Sequence, residues 1–126
     1  MTRKAVSSGA PWEAKFGYTR AVRVGPCIKV SGTTGVDENG QVVGGAYEQA
    51  RQALEIIKDA LAELDAGMSD VVRTRVFVTN VADWEAVGRA HADAFSEAPP
   101  ASTLVEVSGL IDPAMLVEIE AEAYVE

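Results

Sequence analysis

The chain has 126 residues, enough for one domain, residues 1–126, to bury a core without disulfides or metals. Its 19 acidic residues against 11 basic ones give a formal charge of −8, which repels phosphate backbones and argues against a nucleic-acid partner. A hydrophobic share of 48% with 24% charged residues describes a folded chain rather than a disordered one, and no apolar run approaches the roughly 18 residues of a membrane span.

The opening stretch MTRKAVSSGAPWEAKFGY has basic residues but no apolar segment behind them, so it does not read as a secretory leader, and a cytoplasmic protein without membrane contact is expected. The lone Cys27 falls in an expected strand and reads as a small buried apolar residue in a reducing compartment. There is no CxxC pair, no HExxH, no second histidine, no P-loop and no GxGxxG, so neither a metal nor a cofactor is expected.

In chain order, YTRAVRVGPCIKVS over 18–31 predicts two short strands turning at Gly25-Pro26. Asn39-Gly40 predicts a type I′ hairpin between Gly32–Asp37 and Gln41–Val43. From Ala46 the period changes: Ala50, Ala53, Leu54, Ile57, Ala60, Leu61 and Leu64 form one apolar stripe on a helix that stops at Gly67. Residues 70–80 return to alternation, with Val72, Thr74, Val76 and Val78 on one face and Val71, Arg73, Arg75, Phe77 and Thr79 on the other. Asn80 and Asp83 open a second helix to about Phe95, whose stripe holds Trp84, Val87, His91, Ala94 and Phe95. Trp84 then reads as core and His91 as a neutral, hydrogen-bonded histidine in the core or a groove. After Pro99-Pro100, residues 102–107 and 116–125 are the last strands.

Two amphipathic helices on one face of a mixed sheet make an α+β sandwich of two layers. The other sheet face is charged. On the final strand, Val117, Ile119, Ala121 and Ala123 face the core, while Glu118, Glu120 and Glu122 stack on the opposite side. Arg73 and Arg75 are suited to pair with these glutamates, Glu120 and Glu122 as ion-pair partners and Glu118 as the residue of a cleft. A mixed face of this kind, with Phe77 and Leu104 beside it, is suited to burial between copies of the chain, and a homotrimer is expected.

The segments GYTRAVRVG, VSGTTG, YEQARQALEIIKDALAELDAG, VVRTRVFVTNVADWEAVGRAH and PPASTLVEVSGL…LVEIEA resemble the YjgF/RidA family, also known as L-PSP endoribonucleases, in order and spacing over nearly the whole chain. The resemblance implies a chorismate-mutase-like fold, a trimer whose sheets form a central barrel, and small-molecule pockets at the subunit interfaces. It also implies hydrolysis of reactive enamines and imines, with a glutamate positioning the water and an arginine holding the substrate carboxylate. By position Glu118 matches that glutamate and Tyr18 the pocket tyrosine. The residues expected to bind substrate with Tyr18 are Gly32, Ser102, Thr103 and Arg75.

Three positions depart from the family pattern: Ser102 stands where the arginine is implied, Gly88 where an asparagine is, and Leu104 where a cysteine is often found. A hydroxyl replaces neither the charge nor the fork of a guanidinium. The pattern therefore fits an arginine-lacking subgroup, with Arg75 or Arg20 as alternative cations for a small acid or imine ligand. Two readings follow, an imine hydrolase of altered specificity and a non-catalytic trimeric metabolite binder or sensor. Ribonuclease activity is disfavoured by the acidic chain and single histidine.

Overall fold

A computed structural model describes residues 2–126. The elements follow as β1 (Arg3–Val6), α1 (Pro11–Phe16), β2 (Ala21–Val24), β3 (Cys27–Thr34), α2 (Ala46–Glu63), β4 (Val71–Val78), α3 (Trp84–Ala94), β5 (Ala101–Glu106) and β6 (Val117–Tyr124). One six-stranded sheet has the order β1-β2-β3-β6-β4-β5, antiparallel throughout except for the parallel β4–β5 pair. The core lies between α2, α3 and one sheet face, where Ile57, Leu61, Val87, Val117 and Ile119 are almost wholly buried. This is the expected mixed α+β arrangement. Among the described residues no helix is long and apolar enough to cross a membrane.

Helix α2 starts where Glu48 reaches back to accept from the Gly45 N–H at 2.9 Å, satisfying one donor of the first turn. Its end comes before Gly67: Asp65 takes the left-handed turn at φ 60°, and Arg23 of β2 donates to the Leu64 carbonyl at 2.6 Å. The buried Gln49 then fixes the start of β6. Its Oε1 accepts from the Leu116 N–H at 2.8 Å while its Nε2 donates to the Ala114 and Gly44 carbonyls.

Several expectations are corrected. β1 and α1 were not legible in the N-terminal segment; α1 is a helix of only six residues, begun by Pro11 and closed by Gly17 at φ 84°. The 37–41 loop is not a type I′ turn, because only Gly40 has positive φ; Asp37 closes it by accepting from the backbone N–H groups of Asn39 and Gln41, and the strands beyond pair only at Val36 and Val42. A bulge between Val71 and Arg73 turns Val71 into the core and leaves Val72 54% exposed, the reverse of simple alternation. Trp84 is not core: it begins α3 at 56% exposure, and Val81 in the turn before it is exposed as well. Cys27, expected to be buried, is exposed at the start of β3. Leu104 packs on the helix side, and Val105 stands opposite Phe77 on the charged face.

At Gly35 the end of β3 passes so close to α2 that a Cβ would overlap the Gln49 backbone, which cannot rotate away. Gly35→Ala is expected to cost about 1–3 kcal/mol, read as a lower urea midpoint at unchanged slope; an unchanged midpoint would show that strand and helix separate freely.

Candidate active site

Glu118 stands on β6 between Phe77 of β4 and Thr34 of β3. The pairing of β3 with β6 shifts register between Val30 and Thr33, and this irregularity brings Gly32 against the Glu118 carboxylate. A Cβ at Gly32 would occupy the space of Glu118 Oε2, so glycine here makes room for the acid.

Beside this pair lies a buried arginine. Arg20 is 5% exposed and its guanidinium is almost fully bonded: Nη1 donates to the Gly32 carbonyl at 2.7 Å and to Thr33 Oγ1 at 3.1 Å, Nε to Ser8 Oγ at 3.3 Å, and Nη2 to the Tyr18 hydroxyl at 3.4 Å. Its counter-charge is Glu13, 6% exposed, at 3.6 Å. Glu13 also accepts from Ser7 Oγ at 2.8 Å and from the backbone N–H and hydroxyl of Ser8. Burial alone would raise the Glu13 pKa; the bonds from Ser8 and Ser7 and the charge of Arg20 together outweigh it and lower it. The Arg20 guanidinium also stacks over the Tyr18 ring at 5.5 Å. Arg20 thus joins Tyr18, Gly32 and the surroundings of Glu118.

Glu118 itself is half-buried and its pKa is raised, first by burial and further by the nearby Glu120, with Arg20 pulling the other way. A carboxylate poised above its ordinary range in a cluster of named polar groups is suited to accept and return a proton. Among the described residues it has no ion-pair partner of its own. The arginines expected beside it lie further along: Arg75 donates to Glu120 at 2.8 Å and is 3.6 Å from Glu122, while Arg73 stands opposite Glu122. Lys29 adds an unanticipated pair with Glu122, and its hydrogen bond is the main reason the Glu122 pKa is lowered, burial opposing and the charges of Arg75 and Arg73 assisting.

Lys29, Arg73, Arg75, Glu120 and Glu122 line a hollow of about 370 Å³ on the open sheet face, with Arg73 Nε buried there and unbonded. A larger groove of about 670 Å³ runs between α2 and α3 past Tyr47, Arg51 and Phe95. Neither touches Glu118, Tyr18 or Ser102.

The expected set therefore divides. Tyr18 and Gly32 gather with Glu118 through Arg20, while Arg75 and Thr103 share the outer sheet face with it. Ser102 does not join them: it pairs with Thr74, two strands from Glu118, roughly 10 Å across the sheet, and faces the helices. His91 is half-buried and bonded to Thr74 Oγ1 at 2.8 Å, and burial lowers its pKa, which bears out a neutral histidine. Sequence reasoning missed the Glu13–Arg20 pair; the only signal was an acid in PWEAKF a few residues ahead of an arginine in a strand.

The family model described as endoribonuclease L-PSP matches residues 8–125. A crystal structure of Rv2704 from Mycobacterium tuberculosis, described as a member of the YjgF/YER057c/UK114 family, superposes with TM-score 0.90 at 47% identity, covering 98% of this chain and 100% of that one. The 3-aminoacrylate deaminase RutC of Acinetobacter baylyi is 36% identical over 110 residues, 86% of each chain. The 2-iminobutanoate/2-iminopropanoate deaminase of Mus musculus is 33% identical over 125 residues, 98% of this chain and 92% of that one.

Because the folded pKa of Glu118 lies above the ordinary glutamate value, its ionised form costs stability: the cost is absent below the ordinary value and complete above the raised one. Glu118→Gln removes it. The variant should gain stability relative to the wild type as pH rises from about 4 to about 8, measured by urea denaturation; a variant that loses ground over that range would mean that Arg20 outweighs burial.

Proposed function

The chain belongs to the endoribonuclease L-PSP family, the group of YjgF and RidA, and on that premise we propose that it is a hydrolase of small imines or enamines with Glu118 as the residue that activates water. The observation that carries this reading is the half-buried carboxylate of raised pKa beside Gly32, in a cluster organised by Arg20 and Tyr18. The names of the RutC and mouse relatives supply the reaction class. RNA cleavage, which the family description names, is opposed by the −8 charge.

In this reaction Glu118 takes a proton from water as the oxygen attacks the C=N carbon. The carbinolamine nitrogen then receives that proton back from Glu118, and as the C–N bond breaks the freed Glu118 carboxylate takes the proton of the carbinolamine hydroxyl, so that a carbonyl forms, ammonia leaves and the last proton passes to solvent. The raised pKa favours that return.

The cleft is completed by a second copy in a homotrimer of chorismate-mutase-like type, its sheets closed into a barrel. Support comes from the placement of Ser102 and Glu118 on opposite faces of one sheet, and from the open face with Phe77, the exposed Val105 and the unbonded Arg73 Nε. A ligand bridging Ser102 and Glu118 must span two chains.

A second reading, a metabolite binder without catalysis, is favoured by one observation: neither candidate cation is free to clamp a carboxylate. Arg75 is engaged by Glu120, and Arg20 by Glu13, Gly32, Thr33, Ser8 and Tyr18.

Ammonia release from 2-iminopropanoate generated in situ separates the two, using material whose mass by light scattering is that of three chains. The hydrolase reading predicts release above the buffer rate and a fall of about 10²- to 10⁴-fold in the enzymatic rate for Glu118→Gln. Ser102→Arg, which restores the guanidinium implied by the family pattern, should raise turnover of this carboxylate substrate. Release at the buffer rate in a folded trimer would favour the binder, and a stable monomer would remove the cleft.

A further inference from the structure

On the helix side of the sheet's parallel edge three side chains stand in line. Thr74 Oγ1 lies 2.8 Å from His91 Nε2 and donates to Ser102 Oγ at 2.7 Å. Thr74 is 1% exposed, His91 half-buried and Ser102 exposed, so a buried hydroxyl links a half-buried ring to a hydroxyl at the surface. Each hydroxyl carries one proton. With the Thr74 proton directed to Ser102, the bond to His91 requires the Nε2–H of the imidazole. Ser102, already accepting from Thr74, then has its own proton to give outward. Donors in series polarise one another, which strengthens the last one.

The charge around this line is low. Strand alternation puts Arg73 and Arg75 on the opposite face, and Arg89 of α3 stacks on Tyr47. Burial lowers the His91 pKa, so the ring is neutral near pH 7.

We propose that Ser102 is a specificity-determining residue, the outward donor of a His91–Thr74–Ser102 chain, and that it takes an uncharged atom with a lone pair, a carbonyl oxygen or an imine nitrogen, in preference to a carboxylate. This rests on the inter-subunit cleft proposed above and narrows what the cleft accepts. A lone neutral donor cannot repay the desolvation of a carboxylate as a guanidinium does, but it matches an amide or imine well.

Pyruvate and pyruvamide, nearly equal in size and different in charge, are the probes, with binding to the assembled protein followed by NMR. The wild type should bind pyruvamide more tightly than pyruvate. Ser102→Ala should weaken pyruvamide about 3- to 10-fold, the range of one neutral hydrogen bond, and Thr74→Val should weaken it in the same direction with Ser102 still present. His91 is the chain's single histidine, so its ring nitrogens report on the line without any ligand. They should show the Nε2-protonated neutral form in the wild type and a shifted Nε2 signal in Thr74→Val. Tighter binding of pyruvate by the wild type, no binding of either probe, pyruvamide affinity unchanged in Ser102→Ala, or an Nδ1-protonated ring would each overturn the proposal. Imine turnover and its dependence on Glu118 are read in a separate assay, so failure here is distinguishable from failure of the hydrolase reading.

Discussion

A guanidinium buried to 5% exposure must be neutralised and hydrogen-bonded, and meeting that requirement at Arg20 orders much of this molecule. The Glu13 carboxylate comes from α1, Ser8 from the loop before it, the Gly32 carbonyl from the irregular stretch of β3, and the Tyr18 hydroxyl from the approach to β2. One charge therefore holds the N-terminal segment to the sheet beside Glu118. Removing Glu13 would leave Arg20 buried without its counter-ion, a far larger loss than that of an exposed pair such as Lys29–Glu122.

The three acids of β6 look equivalent in sequence but have different surroundings. Glu122 is answered by Lys29 and Arg75, and Glu120 by Arg75. Among the described residues Glu118 is left without a direct ion-pair partner, between a glycine that yields it space and an arginine that acts on it through the local field. Burial wins over Arg20, and a carboxylate with a raised pKa results. Three like residues on a single strand are thus divided into two paired acids and one acid of raised pKa.

Much of the fold was legible because its signals are periodic. The α2 stripe, the alternation of β6 and the Gly25-Pro26 turn all follow from which side of an element meets the core. What was not legible depends on single insertions or on partners distant in sequence. The bulge before Arg73 exchanged Val71 and Val72, which no alternation rule anticipates. Trp84 fits the α3 stripe by spacing, yet stands at the helix start more than half exposed. For the site, Glu118 stood out as one acid of a stacked row, and Tyr18 and Gly32 were legible by resemblance. The use of Arg20 was not: its pairing with Glu13 depends on α1 folding back, and α1 is too short to announce itself by period. The Thr74 link between His91 and Ser102 joins three elements and has no local signature.

The account depends on Arg20 acting on the Glu118 carboxylate as well as holding the fold. The measurement closest to that claim is the titration of the Glu118 side-chain carboxyl, followed by carbon NMR in the wild type and in Arg20→Gln, with Arg20→Lys as the variant that retains the charge. Since Arg20 opposes the burial that raises Glu118, the Glu118 midpoint should move further up in Arg20→Gln and stay nearer the wild type in Arg20→Lys. A midpoint unchanged in a folded Arg20→Gln protein would contradict the account and reduce Arg20 to a structural anchor.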